Sequence, residues 1–214
     1  MYLDALNANK RDCTVMNYYK NYLKENLDLL LLSELKTIKD WKDFNRNNSH
    51  MKEYYGEGKF INRIRQYFHS KECIKWIEKE TGIDGLLVDP YSVGEGVSLM
   101  ESQDQLDPHI DFNWNDRIKM HRAVNLCVYL GECEGGEHCQ YDDKKENVVS
   151  NHIPEHNSAI LFKHSETSPH GVKPVTSGQR FTMRQFYYKS EATVVNPHQS
   201  LYWYNPDRQM PTNS

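Results

Sequence analysis

Ala123-Val124-Asn125-Leu126-Cys127-Val128-Tyr129-Leu130 reads as a strand with two unlike faces. Residues two apart on a strand point the same way. Val124, Leu126, Val128 and Leu130 therefore share an apolar face, while Ala123, Asn125, Cys127 and Tyr129 share a mixed one. The first face is expected to lie on a hydrophobic layer. The second is expected to look into a more polar interior.

Outward from this strand, Ser158–Phe162 and Arg180–Tyr188 read as further strands. From about Gly85 onward, short apolar runs are separated by Gly, Pro, Asn and Asp, which is strand-and-turn punctuation. Before Gly85 the spacing is helical. Val15, Tyr18, Tyr19, Tyr22, Leu23 and Leu27 fall at three- and four-residue intervals, and so do Ile61, Ile64, Tyr67, Phe68, Ile74 and Ile77. Thr81-Gly82 ends the second pattern, and Asn45–Ser49 reads as a polar loop between the two. Helices followed by short strands predict an α+β, mainly β protein, with helices backing a β-sandwich or barrel. There is no internal repeat and no low-complexity tract. A single domain over 1–214 is expected, with helical support in 1–84, the β core in 85–190 and an aromatic tail around Tyr202-Trp203-Tyr204 in 191–214.

Composition narrows the class. The chain has 214 residues, 38% hydrophobic and 26% charged, with a net charge of −4. That is enough for a real core, and too apolar for disorder. No basic block suggests a nucleic-acid partner, and none is expected. No apolar run approaches the roughly 18–20 residues that span a bilayer; Leu27–Leu32 is the greasiest stretch and is short, so no membrane partner is expected. The N-terminus has no signal-peptide pattern, which predicts a cytoplasmic location. Cys13, Cys73, Cys127, Cys133 and Cys139 are odd in number and irregularly spaced, so reduced thiols are expected.

Two strand-flanked positions carry the chemistry. Asp107-Pro108-His109-Ile110-Asp111 precedes the strand, and Ser168-Pro169-His170-Gly171-Val172 follows it. On a strand, His109 and Asp111 reach the same side. With His170 from a neighbouring strand they form the ligand set of a 2-His-1-carboxylate triad, which suits non-haem Fe(II) and leaves coordination positions open. His50, His69, His152, His156, His164 and His198 read as ordinary solvent-facing or hydrogen-bonded residues, with one competing set to weigh. Cys133, His138 and Cys139, with Cys127 just before, suggest a zinc site, but no C-x-x-C pair is present and a structural zinc site wants short paired spacings.

Arg180 lies ten residues past His170 and, by alternation, shares a face with Thr182 and Arg184. A guanidinium in a buried barrel needs an anionic partner, and its fork matches a carboxylate. A dicarboxylic cosubstrate would supply one, with Tyr129 adding a phenolic hydrogen bond. The plainer alternatives are a structural salt bridge for Arg180 and a core tyrosine for Tyr129.

Residues 88–188 resemble the Fe(II)- and 2-oxoglutarate-dependent dioxygenases, and within them the prolyl 4-hydroxylase type. The resemblance rests on Tyr91-Ser92-Val93-Gly94, His109-Ile110-Asp111, the Arg122–Leu130 strand, Gly135-Gly136, His170-Gly171-Val172-Lys173-Pro174-Val175 and Arg180-Phe181-Thr182. It implies a double-stranded β-helix (jelly roll, cupin-like) with the N-terminal helices packed on the major sheet. It implies iron on His109, Asp111 and His170, and 2-oxoglutarate on Arg180, Tyr129 and Asn125. O2 would be the oxidant, ascorbate the reductant, and succinate and CO2 the coproducts of C–H hydroxylation. Asp111 stands where related halogenases have a small residue, which favours hydroxylation. Phe112, Asn113, Trp114, Arg122 and Arg184 are candidate substrate contacts. Two segments depart from the family pattern: the acidic Ser98–Pro108 approach, and the polar Glu137-His138-Cys139-Gln140-Tyr141-Asp142-Asp143. Both are expected to flank the substrate entrance. A peptidyl proline is the expected substrate, with a small molecule or free amino acid as alternative. A non-catalytic cupin-like metal-binding module is the alternative of another class.

Overall fold

The structure, a computed structural model, describes residues 16–142, 147–164 and 169–190 and the backbone of 201–202. The described residues open with strand β1 (Met16–Lys20) and helix α1 (Leu27–Leu35). A hairpin, β2 (Lys42–Arg46) and β3 (Ser49–Tyr54), leads into helices α2 (Lys59–Phe68) and α3 (Lys71–Thr81). Strands follow: β4 (Leu87–Val88), β5 (Gly96–Met100), β6 (Leu106–Ile110), β7 (Trp114–Asn115) and β8 (Met120–Leu130). After them come β9 (Cys133–Gly135), β10 (His138–Tyr141), β11 (Val148–His152) and β12 (Ser158–Lys163). The last are β13 (His170–Val172), β14 (Val175–Gly178), β15 (Arg180–Lys189) and β16 (Leu201–Tyr202).

Two antiparallel sheets face each other. The larger runs β1-β12-β8-β15-β5-β3-β2, with β4 on β15 and β7 on β8; the smaller runs β11-β10-β13-β6-β16. β9 and β14 form a separate ribbon. This is the expected double-stranded β-helix, with the three helices of the described residues on the larger sheet.

The alternation along β8 decides the layers. Val124, Leu126, Val128 and Leu130 are buried in one core with Phe181 and Met183 of β15. The helices supply the other half of that core: Leu31 and Leu35 from α1, Ile61 and Ile64 from α2, Ile77 from α3. Each helix buries one stripe, at four-residue spacing in α1 (Leu27, Leu31, Leu35) and α3 (Cys73, Ile77, Thr81). The apolar pattern from Ile61 to Ile77 is two helices, not one. Ser70 breaks it, its side chain accepting from the Cys73 amide at 3.1 Å as an N-cap. Gly82, with φ 66°, ends α3 as expected.

The N-terminal third corrects the expectation of purely helical support. Met16–Lys20 is a strand, paired antiparallel with β12 from Met16↔Phe162 to Lys20↔Ser158. The helical spacing there was coincidental: Met16 and Tyr19 are both buried, in the cores on opposite sides of the sheet. The Asn45–Ser49 segment is the tip of a hairpin with Arg46 opposite Ser49. Asn47, at φ 61°, adopts the left-handed turn conformation that Asn tolerates. The acidic Ser98–Pro108 approach is the end of β5, a tight acidic turn and the start of β6. In that turn the Asp104 carboxylate accepts from the Glu101 amide at 2.8 Å. Val15, Cys13, Ser168, Asp143, and the aromatic tail apart from the backbone of 201–202, lie outside the described residues.

Candidate metal centre and cosubstrate cavity

β6 and β13 are neighbours, and His109 stands directly opposite His170 across the pair. The register slips at this point, since Val172 pairs with Leu106. Pro108, which has no amide to give, sits inside the irregularity. Gly171 permits the close approach, because a Cβ there would lie 2.7 Å from the Leu106 carbonyl oxygen. The bulge aims both imidazoles inward, with ring centroids 4.5 Å apart.

Asp111 lies just past the end of β6 and turns to meet them. Its Oδ1 is 3.3 Å from His109 Nε2 and its Oδ2 is 3.4 Å from His170 Nε2. One ligand atom from each of the three residues falls within 4.8 Å of the others, and among the described residues no other such group of His, Cys, Asp and Glu occurs. The donor chemistry fits Fe(II). His109 Nδ1–H donates to the Asp107 carbonyl at 2.8 Å, which turns Nε2, with its lone pair, toward the centre. Burial, then the neighbouring His170, lowers the His109 pKa and so favours the neutral, metal-ready ring. Burial alone would raise the Asp111 pKa, but the Arg122 guanidinium and the two imidazoles outweigh it and hold the carboxyl well below its ordinary range.

Arg122 and Asn125, expected at the substrate and the cosubstrate, are placed against Asp111. Arg122 Nη2 donates to Asp111 Oδ2 at 2.9 Å, and Asn125 Nδ2 approaches the same oxygen at 3.3 Å. Arg122 Nε also donates to Asn125 Oδ1 at 2.5 Å. The guanidinium is stacked 3.2 Å over the Phe186 ring. This bracket occupies Oδ2. Only the structure brings these residues together, since neither spacing nor composition signals it.

A cavity of about 230 Å³ opens from the triad between the two sheets. The mixed face of β8 lines it with Asn125, Cys127 and Tyr129, and β15 adds Arg180, Thr182 and Arg184. Arg180 is 3% exposed. Its Nη1 reaches Thr182 Oγ1 at 2.9 Å and Met100 Sδ at 3.5 Å. Its Nε has no hydrogen-bond partner among the described residues, nor does the Tyr129 hydroxyl beside it. The Arg180 guanidinium carbon is 4.8 Å from the Tyr129 ring centroid. Burial pushes the Tyr129 pKa up, so the phenol keeps its proton and can donate. A buried cation and a buried phenol, both partly unpartnered, fit a carboxylate entering from the cavity. Gly136 makes room for them: a Cβ there would meet Arg180 Cδ at 2.9 Å.

The remaining candidates divide. Phe112 lines the cavity and stands edge-on to Phe186. Arg184 lines it too, but Nη2 is already paired with Glu53 at 2.7 Å. Trp114, on β7, and Asn113, whose carbonyl accepts from the Arg122 amide, are not in its wall. The Cys133, His138, Cys139 set does not assemble. His138 faces the cavity, while Cys133 and Cys139 direct their thiols to the carbonyls of Gly135 and Glu137. Among the described residues Cys73, Cys127, Cys133 and Cys139 are free thiols. No helix among the described residues is long and apolar enough to cross a membrane.

Fold and site together define a double-stranded β-helix with a His-Asp-His cluster and a buried arginine in one cavity. Residues 96–188, the segment that builds both, match the profile of the 2OG-Fe(II) oxygenase superfamily. Over that segment the chain resembles the superfamily, and solved prolyl hydroxylases share its fold. That family implies Fe(II), 2-oxoglutarate and O2. No curated protein matches the sequence. Solved structures with the same fold include the viral collagen prolyl hydroxylase of Paramecium bursaria Chlorella virus-1 in its 2OG complex. It is 17% identical over 83% of this chain and 97% of that one, with a TM-score of 0.55. A Trichoplax adhaerens prolyl hydroxylase in complex with a hypoxia inducible factor peptide is 18% identical, covering 80% and 83%, at TM-score 0.57. A Burkholderia pseudomallei oxidoreductase of the 2OG-Fe(II) oxygenase family is 10% identical, covering 87% and 88%, at TM-score 0.61.

Proposed function

We propose that this protein is a Fe(II)- and 2-oxoglutarate-dependent oxygenase that hydroxylates an unactivated C–H bond, with a prolyl residue of a peptide as substrate. The observation that carries the proposal is Arg180: a buried guanidinium, in the same cavity as the triad, with no carboxylate partner among the described residues. A metal-binding module without cosubstrate has no need of it.

His109, Asp111 and His170 hold the metal. Bound Fe(II) with 2-oxoglutarate supplies the oxidising power to insert an oxygen atom from O2 into a C–H bond, releasing succinate and CO2. Arg180 and Tyr129 bind the distal carboxylate. Arg122 and Asn125 keep Asp111 Oδ2 engaged and so fix the carboxylate's orientation. Phe162, Phe186 and Met100 line the cavity with apolar surface and exclude water. No acid–base pair is required.

The test supplies Fe(II), ascorbate and 2-oxoglutarate, and measures succinate with proline-containing peptides and free amino acids side by side. Succinate formation stimulated by the peptides supports the full reading. Stimulation by free amino acids alone moves the substrate to the small-molecule class. No succinate and no 2-oxoglutarate binding would sink the enzyme reading.

A further inference from the structure

The cavity has a polar wall that the sites assigned so far do not use. His138, on β10 of the smaller sheet, is 4% exposed and lines the cavity. Its ring stacks on His170 at 5.3 Å between centroids and leans on Phe162 at 5.3 Å. Its Nε2 has no hydrogen-bond partner among the described residues. On the next strand His152 stacks on Tyr129 at 5.5 Å, and its Nε2 is unpartnered too. Burial of such groups is costly without a partner, and a leucine would fill the position without that cost. An imidazole carries an N–H to give, and Nε2 is the atom left without a partner among the described residues.

Register locates the unpartnered nitrogen along the barrel. His170 and His109 form one inward row across the smaller sheet. His138 stands opposite Val172, one inward row away from that pair. On the larger sheet Asn125 touches Asp111, and Tyr129 lies four residues further along β8. His138 therefore looks across the cavity between the metal row and the Tyr129–Arg180 end. A carboxylate offers about four lone-pair sites. Arg180 and Tyr129 do not exhaust them.

We propose that His138 is a further cosubstrate-binding residue, donating from Nε2 to the distal carboxylate of 2-oxoglutarate from the side opposite Arg180. The two sheets then grip the cosubstrate between them. The inference rests on the reading of the cavity as a 2-oxoglutarate site.

The test is calorimetric titration of the full chain loaded with Mn(II), which involves no turnover. The ligands are 2-oxoglutarate and 2-oxovalerate, a 2-oxo acid without the distal carboxylate. H138L is expected to bind 2-oxoglutarate at least about tenfold more weakly than wild type. H138Q, which keeps an N–H donor, is expected to recover most of the loss. Both variants should keep wild-type affinity for Mn(II) and for 2-oxovalerate. The proposal is overturned if H138L binds 2-oxoglutarate as wild type does, if 2-oxovalerate weakens in parallel, or if H138Q recovers nothing. Failure of the wild type to bind 2-oxoglutarate at all overturns the site reading itself, and this inference with it.

Discussion

On β8 and β15, alternate residues face opposite ways and meet opposite chemistry. Leu126, Val128, Phe181 and Met183 point outward into the helices, in a core of mostly apolar side chains. Tyr129, Arg180, Asn125 and Thr182 point inward, where the Tyr129 hydroxyl and Arg180 Nε have no hydrogen-bond partner among the described residues and Asn125 approaches Asp111. The backbone ladder is the same for both sets. What differs is that one face is filled by the helices, while the other borders a cavity that, in the proposed function, is completed by what binds there. Stability and binding are thus assigned to opposite faces of one sheet, and that separation can be tested.

The largest effect is expected inside. Asp111→Ala removes the sole carboxylate of the triad and strands Arg122. It should lower metal affinity by more than the 10–100-fold typical of an outer-sphere change and abolish succinate formation. Equilibrium metal titration reads this, and retained metal would contradict the assignment of the inner face. On the outer face, Leu126→Ala should cost about 2–5 kcal/mol in urea unfolding while the folded protein binds 2-oxoglutarate unchanged. A parallel loss of affinity would show that the two faces are not independent.

The third expectation is a pH effect from the inner wall. Burial, reinforced by Arg180 and Lys20 and opposed by Glu155, lowers the His152 pKa to about 4. Its ordinary value is about 6.5. Between those values the unfolded chain takes up a proton that the folded chain refuses, so stability falls as pH drops from about 6.5 toward 4, and this group contributes nothing above that range. The loss is on the order of 3 kcal/mol. His152→Leu should flatten part of that slope in urea midpoints recorded against pH. Smallest is Arg122→Leu, expected to weaken metal binding by about 10–100-fold. An unchanged metal affinity would reduce the Arg122–Asp111 pair to a folding contact.

The comparison also explains what was legible in the sequence. Alternation of period two is local, so the two faces of Ala123–Leu130 could be read directly. His109, Asp111, His170 and Arg180 were legible because residue type, order and strand setting all pointed to one chemistry. β1 was not, because a strand at a sheet edge is made by its distant partner, here Ile160 opposite Tyr18, and its own spacing mimicked a helix. The Asn47-Asn48 turn did carry a signal, since Asn favours the left-handed conformation the hairpin needs. Arg122 lines the cavity, as a substrate contact would, and its 2.9 Å contact to Asp111 adds a second role that the sequence does not signal. His138 was hidden among cysteines that suggested another metal.

The short strand β13 has a thermodynamic consequence. It has three residues, and only its register against β6 sets His170 opposite His109. A slip by one residue would turn the imidazole away. An ion that requires both rings can bind only after that pairing has formed, so its binding free energy becomes cohesion of the smaller sheet. Each tenfold excess of free ion over its dissociation constant adds about 1.4 kcal/mol. Amide exchange in β6, β10 and β13 should slow with added metal, while the helix-backed sheet keeps its own pace. The ion would act as a clasp that closes the barrel from its thinner side.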